Sequence, residues 1–331
     1  MSGRVIKRIL LAIPVALVLI ALTAGGFLWQ AHRAIDRERA ALPTADELAR
    51  FASGPTDDLP VRLSWIETAS QKMPRSAVLD PGKDPAPDAP YVMSHPAFVL
   101  EWADGRILLI DTGMRRESAL SFGKPMESLG GAGPISALTP TAEALGAAAS
   151  RVRAIVFTHL HTDHVDGVVA LCAAAPQSQI TAFMTVAQAE RPNYTTRPGL
   201  ALLDEATCVK RKLLDEGTSL RALPGFPGVA VIDAGGHTPG SEIILVRVAS
   251  DGGVKPYAFA GDTVNHLDGV HRDIAKPWLY RTFLVPESDE RQSELRHFLA
   301  ALERERGFAI LVSHDEASIV ATGVPPWSVG G

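Results

Sequence analysis

Six consecutive positions constrain this chain more than any other feature. Thr158 is followed by His159-Leu160-His161-Thr162-Asp163-His164, which places four potential metal ligands within six residues. They come directly after an apolar run at 153–157 that reads as a strand. Imidazole and carboxylate are the ligand types that suit zinc and related divalent ions. In a tight turn the alternate residues His159 and His161 converge on one ion, and Asp163 with His164 can face a second. Ten histidines are spread over 331 residues, and three of them fall in this turn. A chance match to that spacing behind a buried strand is improbable, which sets aside a merely solvated His-rich loop.

Short strands feed loops repeatedly around this turn. The runs at 97–102 and 106–110 flank Asp104-Gly105, a hairpin signal, and the second ends at Asp111-Thr112-Gly113. Strands are expected at 180–184, 229–233 before Gly235-Gly236-His237, 242–248, 257–260 before Gly261-Asp262, and 308–312 before Ser313-His314. Helices are expected at 139–150, 166–175 and 288–306, with a glycine-rich loop at 114–134. Hairpins first and helix-separated strands later predict an α/β sandwich with two mixed sheets.

The turn resembles the H-x-H-x-D-H signature of the metallo-β-lactamase superfamily, and later motifs follow in the family's order. Gly236-His237-Thr238-Pro239-Gly240 resembles its third-histidine loop. Gly261-Asp262 resembles the strand end carrying a bridging aspartate, and Ser313-His314-Asp315 resembles the last ligand position. The resemblance covers residues 91 to 315 and implies the family's αβ/βα sandwich. It implies that His159, His161 and His237 hold one ion, that Asp163, His164 and His314 hold a second, and that Asp262 bridges them. Asp111-Thr112-Gly113 matches an early motif that supports the turn without binding metal.

Two such ions acidify a shared water and polarise the attacked carbonyl, so no Ser or Cys nucleophile is required. The resemblance implies a dinuclear, metal-dependent hydrolase of an ester, lactone or thioester. Asp163 would pass a proton to the leaving oxygen, and the cations would be two Zn²⁺, with Fe or Mn as alternatives. His161 stands where flavodiiron oxidoreductases carry Glu, and Asp262 is absent from typical metallo-β-lactamases. The pattern is most similar to quorum-quenching lactonases, which points to a small-molecule substrate of the acyl-homoserine lactone kind. Those enzymes place a tyrosine where this chain has Asn265. A mononuclear iron persulfide dioxygenase and a non-catalytic metal-binding module are the rival readings.

Asn265, His266, Trp278 and Tyr280 are the candidate substrate contacts, with His271 and the aromatic pair Tyr194 and Phe226 behind them. His95 is expected to be structural. The charge of −5, from 32 basic and 37 acidic residues, shows no basic stripe of the kind nucleic acid requires. Residues 9–29 form an uncharged run of 21 residues, about 30 Å as a helix and long enough to cross a bilayer. The expected organisation is a single-pass anchor at 1–30, with a cleaved signal peptide and a buried helix as the competing readings of that run, then a stalk and proline-rich linker at 31–90, and a catalytic domain at 91–331. Arg4, Lys7 and Arg8 precede the span and Arg33, Arg37 and Arg39 follow it, so the basic residues do not set the orientation; the short tail ahead of a long domain favours an extracytoplasmic placement, periplasmic in a bacterium. Cys172 is expected as a packed thiol, with a bond to Cys208 left open for a chain outside the cytoplasm. Oligomeric state is not legible.

Overall fold

The computed structural model describes residues 3–37, 39–129 and 131–328. β1 (Arg62–Pro74), β2 (Pro90–Glu101), β3 (Ile107–Ile110), β4 (Ser136–Ala137), β5 (Val152–Val156), β6 (Ile180–Met184) and β7 (Val209–Leu213) form one sheet. Its order is β4-β1-β2-β3-β5-β6-β7. β8 (Arg221–Ala222), β9 (Val229–Asp233), β10 (Glu242–Ser250), β11 (Gly253–Gly261) and β12 (Ala309–Val312) form a second, in the order β12-β11-β10-β9-β8. Both are mixed. β1, β2 and β3 pair antiparallel while β3, β5, β6 and β7 run parallel, and β12 joins an antiparallel meander in parallel with β11.

Period-two alternation explains why the sheets stack. On β5, Ala154 and Val156 face the second sheet, where they join Phe98, Ile110, Val231, Ile244 and Phe259 in a shared core. Ile155 faces outward, and a bulge that leaves Arg153 outside the pairing with β3 puts Val152 on the same side, where both pack with Leu145, Leu171 and Leu203 from the covering helices. The second sheet's outer side carries Ile243, Leu245 and Ile310 against Leu295 and Leu299 of the helix Asp289–Arg306. The result is the expected sandwich of helices on two mixed sheets. β3, β5, β11 and β12 all deliver their C-terminal ends to one edge, which is where Asp111, Thr158, Asp262 and His314 stand.

Three expectations are corrected. Residues 62–74, read as linker, are β1, paired with β2 from Arg62↔Glu101 to Pro74↔Pro90. The proline-rich run is only the loop between these strands, tied down by Arg75 to Asp84 at 2.8 Å. Residues 30–52, read as a helix or stalk, include the helix Ala45–Ala52, closed by a Thr44–Glu47 capping box and seated by Leu48 on the second sheet's outer core. The glycine-rich stretch holds two short helices, Arg116–Phe122 and Lys124–Leu129. Cys172 is bonded to Cys208, because the helix Gly167–Ala174 packs beside the start of β7 with their Cα atoms 5.3 Å apart.

The first helix, Gly3–Asp36, is the one among the described residues that is long and apolar enough to cross a membrane, and from Ile13 onward its apolar stretch is not buried in the fold. Its C-terminal end docks on the domain through buried Ala31 and Ile35.

Two outcomes follow from this packing. The disulfide closes a 36-residue separation, so replacing both cysteines by alanine should cost about 3–4 kcal/mol in denaturant unfolding. Half-buried Glu67 has its carboxyl pushed up to about 7 by burial and by the neighbouring Glu316. An acid whose folded pKa is raised favours the folded state only while protonated, so stability should fall as pH rises from about 4.5 to 7. Glu67→Gln should flatten that slope, matching the unsubstituted protein below pH 4.5 and exceeding it above pH 7 in thermal melts.

Candidate metal centre

The turn after β5 is held from behind by one carboxylate. Asp111 takes a left-handed φ of 58° at the end of β3, which aims its side chain at the turn. Its Oδ1 accepts from the Thr158 backbone N–H at 2.8 Å. Its Oδ2 accepts from Thr158 Oγ1 and His164 Nδ1, each also at 2.8 Å. Thr112 adds a backbone N–H to the His164 carbonyl at 2.7 Å. Gly261 (φ 51°) is required just before Asp262, because a Cβ there would lie 2.7 Å from that of Thr158.

Three histidines have Nδ1 occupied away from the centre. His164 Nδ1 donates to Asp111, His237 Nδ1 donates to Glu287 Oε1 at 2.6 Å, and His314 Nδ1 donates to the Ser94 carbonyl at 2.7 Å. Each bond fixes the tautomer that leaves the Nε2 lone pair facing inward. His161 is reversed: its Nε2 meets Thr195 Oγ1 at 2.9 Å and its Nδ1 faces inward.

The inward atoms converge. His161 Nδ1 lies 2.9 Å from His159 Nε2 and 3.2 Å from His237 Nε2, and Asp262 Oδ2 sits 3.6 Å from His237 Nε2. On the other side, Asp262 Oδ2 is 3.1 Å from His314 Nε2 and its Oδ1 is 3.4 Å from His164 Nε2. Asp163 Oδ2 stands 3.5 Å from His314 Nε2 and 3.6 Å from His164 Nε2. All seven predicted ligands therefore meet, with Asp262 between two groups.

These residues fit divalent cations. His164 Nε2 and Asp262 Oδ1 are buried without a hydrogen-bond partner although they face one another, an arrangement that a shared cation satisfies. Burial and neighbouring imidazoles push His159 well down and His161 to about 3, so both are neutral, the form that ligates. Burial opposes the ionised form of Asp163, but His164 and the hydrogen bond from His95 outweigh it and hold the carboxyl well below its usual range.

The remaining candidates divide. Asn265 and Tyr280 line a cavity of about 400 Å³ that also reaches Asp163, Asp262 and His314. His266 is turned away and held by Arg75 at 3.0 Å and the Asp268 backbone N–H at 3.0 Å. Trp278 is outside the cavity wall, exposed, with its ring against Phe283. His271 pairs with Glu303, Phe226 is core packing under Trp102, and Tyr194 contacts Phe27 of the first helix. Three participants were missed. His95 on β2 does more than pack, since its Nδ1 meets Asp163 Oδ2 at 3.2 Å. Buried Lys276 and Glu287 pair at 2.6 Å behind His237. None of the three stands in a recognisable motif.

Residues 90–314 match the metallo-beta-lactamase superfamily. The chain belongs to this superfamily. The match spans every ligand position of the metallo-β-lactamase motif set, from the turn to His314. Among solved structures of this fold is an N-acyl homoserine lactone hydrolase with the product N-hexanoyl-L-homoserine at its catalytic metal center. It is 15% identical, with a TM-score of 0.58 over 80% of this chain and 96% of that one. A B. thuringiensis AiiA variant with N-decanoyl-L-homoserine bound is 15% identical, with a TM-score of 0.57 over 80% and 96%. A probable metal-dependent hydrolase from Staphylococcus aureus is 14% identical, with a TM-score of 0.56 over 79% and 91%. At such identities the likeness is one of fold. No curated protein sequence gives a significant match.

Glu287 gives the sharpest check on this arrangement. Glu287→Gln should weaken metal affinity roughly 10- to 100-fold, as the loss of an orienting carboxylate does. Chelator competition measures this, and an unchanged circular dichroism spectrum separates it from misfolding.

Proposed function

We propose that this protein is a membrane-anchored hydrolase that uses two divalent cations to cleave an ester, lactone or thioester. The observation that carries the reading is Asp262 placed between two sets of inward ligand atoms, at the floor of a cavity with apolar walls. His159, His161 and His237 would hold one cation, His164, His314 and Asp163 the other, and Asp262 both, with Zn²⁺ the best match to the donors. Bound there, the cations supply Lewis acidity to a carbonyl oxygen and acidify solvent.

The side chains set the remaining chemistry. Asp163, ionised beside His164 and bonded by His95, faces the cavity and is the group placed to take a proton and return it at the leaving oxygen. Met93, Phe122, Met126 and Val285 line the cavity and offer burial to an acyl chain, while Asn265 and Tyr280 offer polar groups near the carbonyl. The structural neighbours with acyl-homoserine products support a lactone with an N-acyl chain as the first substrate to try. The disulfide and the apolar helix together support a domain on the oxidising side of a membrane.

A panel of ester, lactone, thioester and phosphodiester substrates on the full chain, with metal quantified on the same sample, tests this. Two metals per chain with hydrolysis are expected. Asp163→Asn should lower kcat by about 10²- to 10⁴-fold, and chelation should abolish activity until metal is restored. One iron with oxygen uptake, or no turnover across the panel, would overturn the reading.

A further inference from the structure

The wall of the cavity is also a surface. Among the described residues beyond the first helix, eight large apolar side chains are exposed, and Trp278, Leu279, Phe283 and Leu284 supply four of them within seven positions. Their exposures run from 47% to 63%. Such a concentration beside a pocket marks a contact surface more than scattered surface hydrophobes do. Leu284 belongs to both sides, lining the cavity and standing exposed at its edge.

The first helix touches this same segment. His32 bridges the carbonyl oxygens of Thr282 and Glu287 at 3.1 Å each. Phe27 packs its ring 5.0 Å from that of Tyr194, whose hydroxyl donates to the Leu284 carbonyl at 3.3 Å. Trp29 lies between these contacts, exposed, at the end of the uncharged run and with Arg33 over its ring. An interfacial aromatic of this kind marks the headgroup level. His32 is about 4.5 Å farther along the axis than Trp29, so the cavity rim is held within one helical turn of that level.

We propose that residues 278–284 lie on the bilayer surface and that the cavity takes an amphiphilic acyl substrate directly from the membrane. The surface half rests on the first helix being a membrane span, and the substrate half rests on the hydrolase reading. The occupant of the apolar surface is the lipid bilayer, because the rim is continuous with the lipid-facing helix. The exposed cations Arg33, Arg37 and Arg197 would stand near anionic headgroups.

Quenching of tryptophan emission by lipids brominated near the top of their acyl chains tests the surface on the full chain in phosphatidylcholine vesicles. In Trp29→Phe, strong quenching is expected that the added Trp278→Phe removes. Quenching of Trp29 in Trp278→Phe, with none assignable to Trp278, would overturn the proposal while leaving the anchor intact. Absence of quenching in every variant would remove the span reading and the proposal with it.

Turnover tests the substrate half. Trp278→Ser with Phe283→Ser should slow hydrolysis of a vesicle-bound dodecanoyl lactone about tenfold, the scale of a few lost apolar contacts. The same pair should leave a water-soluble butanoyl lactone unaffected. Equal effects on both chain lengths, or none on either, would overturn entry from the membrane. Failure of the unsubstituted protein on both lactones would overturn entry of a lactone substrate from the membrane, while the hydrolase reading would still rest on the ester, thioester and phosphodiester panel and the quenching result would stand alone.

Discussion

The Asp111 carboxylate is the interaction on which the centre depends. It reaches from the end of β3 to the turn after β5 and serves three donors, one of them His164 Nδ1. Because β3 and β5 are parallel neighbours, their C-terminal ends lie side by side without any loop having to bridge them. A buried carboxylate is tolerable only when its lone pairs are filled, and here filling them also sets the turn's shape and one ligand's tautomer. The same economy recurs where Glu287 holds His237 and the Ser94 carbonyl holds His314.

The two sheets contribute in proportion to their connectivity. The first brings the turn and its support, and the second brings Asp262 on β11 and His314 after β12, again from parallel neighbours. His237 comes from the loop after β9, where Gly240 closes the chain against Gln188. A Cβ on Gly240 would fall 2.1 Å from Gln188 Cα. The glycine of that short motif is therefore a backbone requirement, which explains why it was informative.

What was legible in the sequence was local. His159 to His164 are adjacent in the chain, and the loops at Asp262 and His314 each follow a short apolar run, so strand ends and ligands could be read together. His95, Lys276 and Glu287 were not legible, because each acts through a partner between 11 and 68 positions away. β1 was mistaken for linker for a different reason. Its burial is nearly continuous on both faces, with polar Ser64, Thr68 and Gln71 buried, so no alternation advertised it. The proline-rich run beside it then suggested an extended strap where the chain makes a compact loop. The cysteines, 36 positions apart, carried no spacing signal, and only the packing of a helix against β7 brings them together.

One short segment joins the floor of the cavity to the apolar helix at the start of the chain. Lys276 and Glu287 sit behind His237, Tyr280 forms part of the wall, and Thr282 and Glu287 present their carbonyls to His32. Glu287 is bound from both sides: its carboxylate fixes a metal-facing imidazole at 2.6 Å, and its carbonyl meets the first helix at 3.1 Å. A displacement of that helix therefore has a direct mechanical route to His237 through a single residue. Seated in this way, the helix is packed against the segment whose Glu287 carboxylate orients His237.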